Sequence, residues 1–541
     1  MTYNQVSKIQ ILQFVLFCLI VLSPSFTEAQ HGFGISIQPS TVNAVPPLHS
    51  GAVAKWNNKW IFIGGRIDGL HIMQSNQAFP AYGRNDSIYI LDPGTNVLMA
   101  ADASQLPPSV FEAISSANMQ FYQDGNYLYM IGGYGKMASQ NTWLTFHSLI
   151  SVDLSCLLSS IASSGPISSC FRQVIDSNMA VAGGMLEKID STYYLVFGHR
   201  FDGRYARNTT LGTFTQTYTH EIRKFGISDD GVNLAISNYH TEIDTTNFHR
   251  RDLNLLPQIF PNGDFGFTAF GGVFQKNADL PFLTPIDITA NSTIHQAAFN
   301  QNLSQYTSAA MPVFDSLNNT MHSVFFGGMS LYTLDTVNQV LIQDTLVPFV
   351  RTISKVTRES NGNLTEYKLP VEMPGLLGSN AFFILKDSVP LIHNKIIDLN
   401  SLSGQTHVGY IVGGIESDFP NIADIDPEGM SRPHALVYDV FIDKTISSRS
   451  DLPIKNVLNN LMVYPNPANN KLFMDFSLPS EQICSITLYN NPGKIVRVLL
   501  PEKKLSGEQH LVLNTEGIKS GIYYCRVQAG ASVKLIKIIL D

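Results

Sequence analysis

Charged side chains are scarce in this chain, so the short polar runs where they cluster are the first candidates for chemistry. Asp, Glu, Lys and Arg make up only 14% of the 541 residues. One run is nevertheless polar throughout: His249, Arg250, Arg251 and Asp252. Guanidinium groups bind carboxylates, phosphates and sugar hydroxyls through paired hydrogen bonds. The run predicts an anion or glycan site; the alternative is a structural clamp in which Arg251 and Asp252 join neighbouring parts of the fold.

Four further polar side chains share a position, because each follows within two residues a glycine that ends an apolar run. They are Arg66, His199, Arg200 and Glu416. Cationic and hydrogen-bonding groups at a recurring position can bind a polar or anionic ligand if the fold brings them together. With the run at 249–252, they make eight ligand-binding candidates.

The sequence contains none of the common catalytic or cofactor-binding motifs. It lacks the Gly-x-Ser-x-Gly nucleophile elbow, the phosphate-binding Walker loop and the Gly-x-Gly-x-x-Gly dinucleotide motif. No spacing of Cys and His fits a zinc site. Asp424, Asp426 and Glu428 could hold calcium, but their spacing is not that of an EF-hand and favours a solvated acidic loop. We therefore predict no metal and no cofactor, and assign no catalytic residue.

The elements that would position these side chains recur six times. Each copy is an apolar strand, a turn such as Asn262-Gly263-Asp264 that tolerates positive φ, and a second strand that ends at a glycine or a glycine pair. In most copies a third strand follows, and a weaker fourth is visible in some. The copies span residues 50–65, 117–133, 183–199, 256–272, 311–328 and 378–414. The pattern predicts an all-β fold in which six four-stranded sheets stack radially as the blades of a β-propeller.

A closed ring of sheets needs a strand from the other end of the chain. Residues 34–42 precede the first copy, whereas the last copy has a clear third strand at 435–440 and a poor fourth. We expect the N-terminal strand to complete the sixth sheet beside 435–440; residues 444–448 are the alternative. In such sheets the loops after the glycines and those that enter the first strands lie at one end, so the candidates would surround one mouth of the central channel.

The glycine-terminated strands and following strands such as Ile88-Tyr89-Ile90-Leu91-Asp92 resemble the kelch family of β-propellers over residues 30–448. The chain has only three tryptophans and lacks the spaced Tyr and Trp of a kelch blade. The resemblance implies a propeller, and we interpret the protein as a secreted or cell-surface binding module for a protein or a glycan. The alternative is a carbohydrate-active enzyme similar to N-acetylneuraminate epimerase, a sugar epimerase or mutarotase that would use His199, Arg250 and Glu416 in the funnel.

The N-terminus indicates export. Residues 1–29 combine Lys8, an apolar run at 9–22 and the small residues Thr27 and Ala29 before a cleavage position at Gln30, which is typical of a secretory signal peptide. A membrane anchor is the alternative, although the run is shorter than a spanning helix needs. We expect no transmembrane segment in the mature chain.

Export makes disulfides possible for the four cysteines that follow the signal peptide. Cys156 and Cys170 bracket a short Ser-rich segment and are predicted to pair. Cys484 and Cys525 lie in predicted strands with their sulfur atoms facing inward, either as a second bridge or as two buried thiols.

The C-terminal part changes pattern. Residues 449–457 are predicted to be a linker, and 458–541 alternate over seven short strands, which predicts a small Ig-like sandwich. Tyr464-Pro465-Asn466-Pro467-Ala468, Ser520-Gly521-Ile522-Tyr523-Tyr524 and the final run KLIKII at 534–539 resemble the type A C-terminal sorting domain of the Bacteroidetes type IX secretion system. The resemblance implies passage through its translocon and removal of the domain, with release or attachment at the cell surface. An accessory ligand-binding sandwich is the alternative.

Charge and targeting together define the expected partners. The formal net charge of −8 provides no basic surface for nucleic acid. We expect residues 458–541 to bind the type IX translocon and sorting machinery, and residues 30–448 to bind an extracellular protein or glycan. The mature protein is expected to be secreted or attached to the outer-membrane surface.

Overall fold

A computed structural model describes residues 32–71, 78–205, 214–337, 340–393, 395–422, 429–445, 451–454, 458–530 and 532–541. The predicted signal peptide at 1–29 and the acidic loop with Asp424, Asp426 and Glu428 lie outside these ranges. The described chain is nearly all β, with two α-helices, α1 (Pro108–Ile114) and α2 (Leu154–Ala162). Neither helix has the length and apolar character that crossing a membrane requires.

Each of the six sequence repeats corresponds to one antiparallel sheet with four core strands. The strands of each sheet are given below in the order in which they pair, beginning with the first strand of the repeat. The first three sheets are β2 (Ala52–Trp56), β3 (Lys59–Ile63), β4 (Ser87–Asp92), β5 (Val97–Asp102); β6 (Gln120–Asp124), β7 (Tyr127–Ile131), β10 (Ser148–Asp153), β11 (Phe171–Ile175); and β12 (Met185–Ile189), β13 (Thr192–Val196), β16 (Glu221–Asp229), β17 (Leu234–Ile243). The other three are β18 (Asn254–Ile259), β19 (Phe265–Phe270), β20 (Ile286–Thr289), β21 (Thr293–His295); β22 (Ala309–Asp315), β23 (Thr320–Phe326), β26 (Thr352–Arg358), β27 (Leu364–Glu372); and β29 (Phe382–Leu385), β32 (Gln405–Val412), β35 (Tyr438–Asp443), β1 (Gly34–Pro39).

The sixth sheet is completed by the N-terminal strand. β1 pairs antiparallel with β35, from Gly34 opposite Asp443 to Pro39 opposite Tyr438. The predicted pairing of the two ends of the repeat region is therefore confirmed, with β35 beginning three residues later than expected. Of the alternative segment 444–448, the first two residues form a turn and 446–448 lie outside the described ranges.

Successive sheets are joined at one end by the backbone. Six linking residues, one just before the first strand of each sheet, are connected by five hydrogen bonds in repeat order. From amide to carbonyl, these run from Asn118 to Ser50 (2.8 Å), Gly183 to Asn118 (2.9 Å), Asp252 to Gly183 (2.7 Å), Thr307 to Asp252 (3.0 Å) and Asn380 to Thr307 (2.9 Å). All except Thr307 have positive φ, a conformation that Gly, Asn and Asp adopt most easily.

Buried apolar clusters fill the space between neighbouring sheets. Separate clusters pack the first sheet on the second, the second on the third, and so on to the sixth. A further cluster packs the sixth sheet on the first and includes Trp60, Phe62, Ile384 and Val412. Inner strands such as β3, β7, β13, β19 and β23 are therefore buried on both faces between neighbouring sheets, as their apolar runs require.

Smaller strands lie in the connections and were not predicted. Two hairpins form one sheet, β8 (Tyr134–Met137), β9 (Thr142–Thr145), β14 (His199–Gly203) and β15 (Phe214–Tyr218). Three strands form another, β28 (Leu376–Ser379), β33 (Ile415–Ser417) and β34 (Ser431–Pro433). β30 (Leu391–Ile392) and β31 (Ile396–Asp398) extend the fifth sheet, and β24 (Tyr332–Asp335) and β25 (Val340–Gln343) form a hairpin.

The C-terminal part has its own apolar core and fewer, longer strands than expected. Its strands are β37 (Asn459–Tyr464), β38 (Lys471–Asn490), β39 (Ile495–Asn514), β40 (Gly521–Ala529) and β41 (Ser532–Leu540). The predicted strand pairs at 471–478 and 484–489, and at 494–500 and 510–514, are each one continuous strand with register shifts. The Ig-like sandwich stays a prediction. The predicted linker is partly structured, because β36 (Leu452–Pro453) pairs with β27.

One of the two possible disulfides is present. Cys156 in α2 is bonded to Cys170, with their Cα atoms 5.4 Å apart, as predicted. Cys484 and Cys525 are buried free thiols, which decides between the two alternatives for that pair. Burial raises the pKa of the Cys525 thiol to about 12, so this sulfur stays protonated and unreactive in the folded protein.

This arrangement sets the thiol count of the chain from residue 30 to residue 541, which retains the sorting domain. After isolation without reductant and unfolding, it should show two reactive thiols, and four after reduction, as measured with a thiol reagent. The double variant Cys156→Ser/Cys170→Ser should lower the free energy of unfolding by about 3 kcal/mol, because the unfolded chain loses a loop constraint of about 15 residues. Four reactive thiols before reduction, or none, would contradict the assignment.

Candidate functional site

The glycine-terminated strands end around a cavity of about 500 Å³. In five repeats the residue directly after the glycine lines this cavity, and in the fourth repeat the second residue does so. These residues are Arg66, Tyr134, His199, Phe274, Met329 and Ile415. The loops expected to meet at one end of the sheets therefore do so.

The glycine pairs make this convergence possible. Gly65 has φ of 81°, and a Cβ atom there would lie 2.4 Å from the carbonyl oxygen of His49. The tight turn lets Arg66 form a two-way backbone bridge with His49, the residue that precedes the linking residue Ser50. In every repeat except the fifth, the residue directly after the glycine is thus held beside the linking residue of its own repeat. In the fifth repeat, Met329 bridges Phe349 instead.

Aromatic side chains form much of the cavity wall. Phe79, Tyr134 and Phe201 make a continuous series, with ring centroids 5.1 and 5.2 Å apart. Phe274 and Tyr306 form another part of the wall, with centroids 6.4 Å apart. Such surfaces bind the apolar C–H face of a ring-shaped ligand, whereas a few polar groups fix its orientation.

Arg251 contacts three residues of this wall: Tyr218, Phe274 and Asp252. Its Nη1 atom donates a hydrogen bond to the Tyr218 hydroxyl, and its guanidinium lies 5.1 Å from the Phe274 ring centroid. Its Nε atom is 3.3 Å from the Asp252 carboxylate. Burial raises the pKa of Asp252, and the neighbouring Arg251 opposes that rise. Arg251 is therefore held at the cavity surface by partners that also line the cavity.

Three histidines of the cavity, His49, His199 and His249, are neutral near pH 7. Burial lowers the pKa of His49 and of His249 to about 4, and the pKa of His199 well below its ordinary value. The Gln216 amide donates to Nδ1 of His199 over 2.8 Å, so the proton of this ring lies on Nε2. His249 stacks on Tyr218 at 3.7 Å between ring centroids, with Nδ1 2.6 Å from Nε2 of His220. These rings offer hydrogen bonds without adding charge.

Arg66 lines the cavity with its charge already compensated. Its Nε atom donates a hydrogen bond to Oδ1 of Asp68 over 2.6 Å, and its Nη2 atom donates to Oδ2 of the same carboxylate. Nη2 also donates to the Pro80 carbonyl over 3.2 Å. Exposed Lys276 and Asp279 add one charge of each sign at the outer part of the cavity. The charges at the cavity are therefore close to balanced.

Three of the eight predicted residues lie outside the cavity wall. Arg250 is fully buried and donates to the carbonyls of three neighbouring segments, at 2.7, 3.1 and 2.8 Å. Arg200 is about half exposed and pairs with Asp202. Glu416 pairs with Arg432 and His434 at 2.7 and 2.8 Å. The cavity gathers the other five candidates: Arg66, His199, His249, Arg251 and Asp252.

The sequence reasoning missed most of the aromatic wall. Tyr205 and Tyr218 belong to the long connection between the second and third strands of the third repeat, and Tyr306 precedes the fifth sheet. The length of that connection was the available signal, since long loops in compact domains commonly carry function. Over the part of the chain that the structure describes, no three His, Cys, Asp or Glu side chains are grouped as metal ligands.

Comparison with known proteins bears on the C-terminal part. Residues 462–541 match the family model for a secretion system C-terminal sorting domain. This tail is a type IX sorting domain. It implies export and either secretion or attachment to the cell surface, with the type IX machinery as a partner.

One solved structure is remotely similar to the chain. A solved structure titled "Structure of YjhT" aligns with a TM-score of 0.42 and 11% sequence identity, covering 76% of this chain and 99% of that chain. Among curated proteins, none matches the chain in sequence.

The two adjacent arginines should respond differently to mutation. Arg250→Met should lower the free energy of unfolding by about 3 kcal/mol or more, because three buried carbonyls lose their donor. Arg251→Met should lower it by less than half as much, because its partners border the cavity. Urea denaturation of both variants tests this, and equal losses would contradict the separate roles.

Proposed function

We propose that residues 30–448 form a closed six-bladed β-propeller, exported by the type IX system, whose cavity binds a glycan at the cell surface or in the medium. The observation that carries the glycan assignment is the cavity itself: aromatic walls with Arg251 and neutral histidines set among them. The propeller is supported by the backbone links between sheets and by the cluster that packs the sixth sheet on the first.

The chemistry of the wall favours a carbohydrate over other small ligands. A strongly anionic ligand would be matched by uncompensated cations, but Arg66 is paired with Asp68 and Arg251 with Asp252. A purely apolar ligand would make no use of the polar side chains that share the wall with the aromatic rings. A sugar has C–H faces for the aromatic rings and hydroxyl groups for Arg251, His199 and His249.

The placement of the predicted catalytic groups supports binding over isomerisation. An epimerase that uses His199, Arg250 and Glu416 needs all three beside one substrate. Only His199 lines the cavity; Arg250 is enclosed by backbone carbonyls and Glu416 is paired with Arg432 and His434. A protein ligand remains the alternative to a glycan within the binding role.

A glycan array probed with residues 30–541 tests the proposal. We expect binding to at least one class of glycan, weakened about tenfold or more in Arg251→Ala, which removes a charged hydrogen-bond donor. Arg200→Ala is the matched control, because Arg200 lies outside the cavity wall, and should bind as the parent does. Binding should also be unchanged from pH 8 to pH 6, since His49 and His249 stay neutral with pKa values of about 4.

Two results would oppose the assignment. Glycan binding that is lost equally in Arg200→Ala would place the ligand elsewhere on the surface. Absence of binding across the array would direct attention to a protein ligand, to be sought by affinity capture from the cell surface.

A further inference from the structure

The sorting domain does not stand apart from the body of the protein, defined as residues 32–445. Its last strand, β41, pairs in parallel with β25 of the body, with Leu341 opposite Lys534 and Gln343 opposite Ile536. β25 otherwise pairs only with β24, so among the described strands its second edge is occupied by the sorting domain. β41 in turn has β40 on one side and β25 on the other.

A buried lysine from the sorting domain anchors this contact. The Lys534 side chain is completely buried, and its Nζ atom lies 3.0 Å from the Leu458 carbonyl, 3.5 Å from Oδ1 of Asn302 and 4.8 Å from the Tyr332 ring centroid. Asn302 and Tyr332 belong to the body. The amine therefore inserts into a pocket that the body provides.

Glu366 supplies the opposite charge in the same pocket. Its buried carboxylate accepts hydrogen bonds from the amides of Asn302 and Leu303, at 2.7 and 2.9 Å. Burial lowers the pKa of Lys534 and raises the pKa of Glu366, and each group opposes the shift of the other. Burying two opposite charges is unfavourable unless each stabilises the other. The buried carboxylate of Glu366 therefore makes this pocket suitable for an amine.

Polar contacts surround the anchor. Lys537 lies 3.5 Å from Asp344, and the Asn466 side chain lies 3.4 Å from the Thr345 hydroxyl. On the connecting segment, Asp451 forms a buried ion pair with Lys355 at 2.6 Å. Contacts from the start and end of the sorting domain and from the linker thus fix it to one side of the body.

We propose that the body is the intramolecular receptor of its own sorting domain, with β25 taking β41 as an added strand and the Glu366 pocket taking Lys534. This inference is independent of the glycan assignment. The docked state pairs both edges of β41, the strand that carries the KLIKII run and ends the segment 462–541 that matches the sorting family. A partner that pairs with the edge of β41 now occupied by β25 would therefore bind only after the sorting domain has left the body.

Disulfide trapping in residues 30–541, which retain the sorting domain, tests the docking. Thr345→Cys with Asn466→Cys places one thiol on each side of the contact, and oxidation followed by peptide mass spectrometry should identify a 345–466 bridge. The matched control is Leu317→Cys with Asn466→Cys, because Leu317 is highly exposed in the turn at the opposite end of β22 and β23. The control should bridge at least tenfold more slowly.

A charge reversal tests the same contact without a buried substitution. In the trapping background, Lys537→Glu should slow bridge formation about threefold or more, because it replaces attraction to Asp344 by repulsion. Lys503→Glu, on the exposed strand β39 of the same domain, should leave the rate unchanged. Equal bridging at positions 345 and 317, or equal rates for the two charge reversals, would overturn the proposal.

Discussion

The packing of the sixth sheet on the first is the contact on which the rest of the body depends. Each repeat forms a sheet with two apolar faces, and a single sheet of this kind cannot bury both. In an open row, the outer faces of the first and sixth sheets would meet water. The cluster around Trp60 and Val412 covers both faces at once, and β1 completes the sixth sheet with the strand that its own repeat lacks.

The same packing of sheets also forms the cavity and places the side chains that line it. The linking residues join successive sheets at the end where the glycine turns lie, so six loops distant in sequence converge. Asp252 is both a linking residue and the partner of Arg251, which ties the placement of the cavity arginine to the contact between repeats. The sorting domain docks near this end as well, since Thr345 contacts Asn466 and also lines the cavity.

The features that could be predicted from the sequence are those that leave a local or periodic pattern of residues. The six glycine-terminated hairpins, the pairing of the N-terminal strand and the Cys156–Cys170 bridge belong to this class. The roles of Arg250 and Arg251 could not be separated, because adjacent side chains in extended backbone point in opposite directions and the sequence does not say which faces inward. The docking of Lys534 had no signal at all, since its partners Glu366 and Asn302 lie in a different part of the chain and become neighbours only through tertiary packing.

Amide hydrogen exchange at the linking residues tests the closed ring most directly. If the six sheets form one closed structure, the amides of Asn118, Gly183, Asp252, Thr307 and Asn380 should exchange at similar slow rates, set by unfolding of the whole body. Removal of residues 32–40, and with them β1, should accelerate all five together. Exchange that proceeds repeat by repeat, with acceleration confined to the sixth sheet after this deletion, would contradict closure.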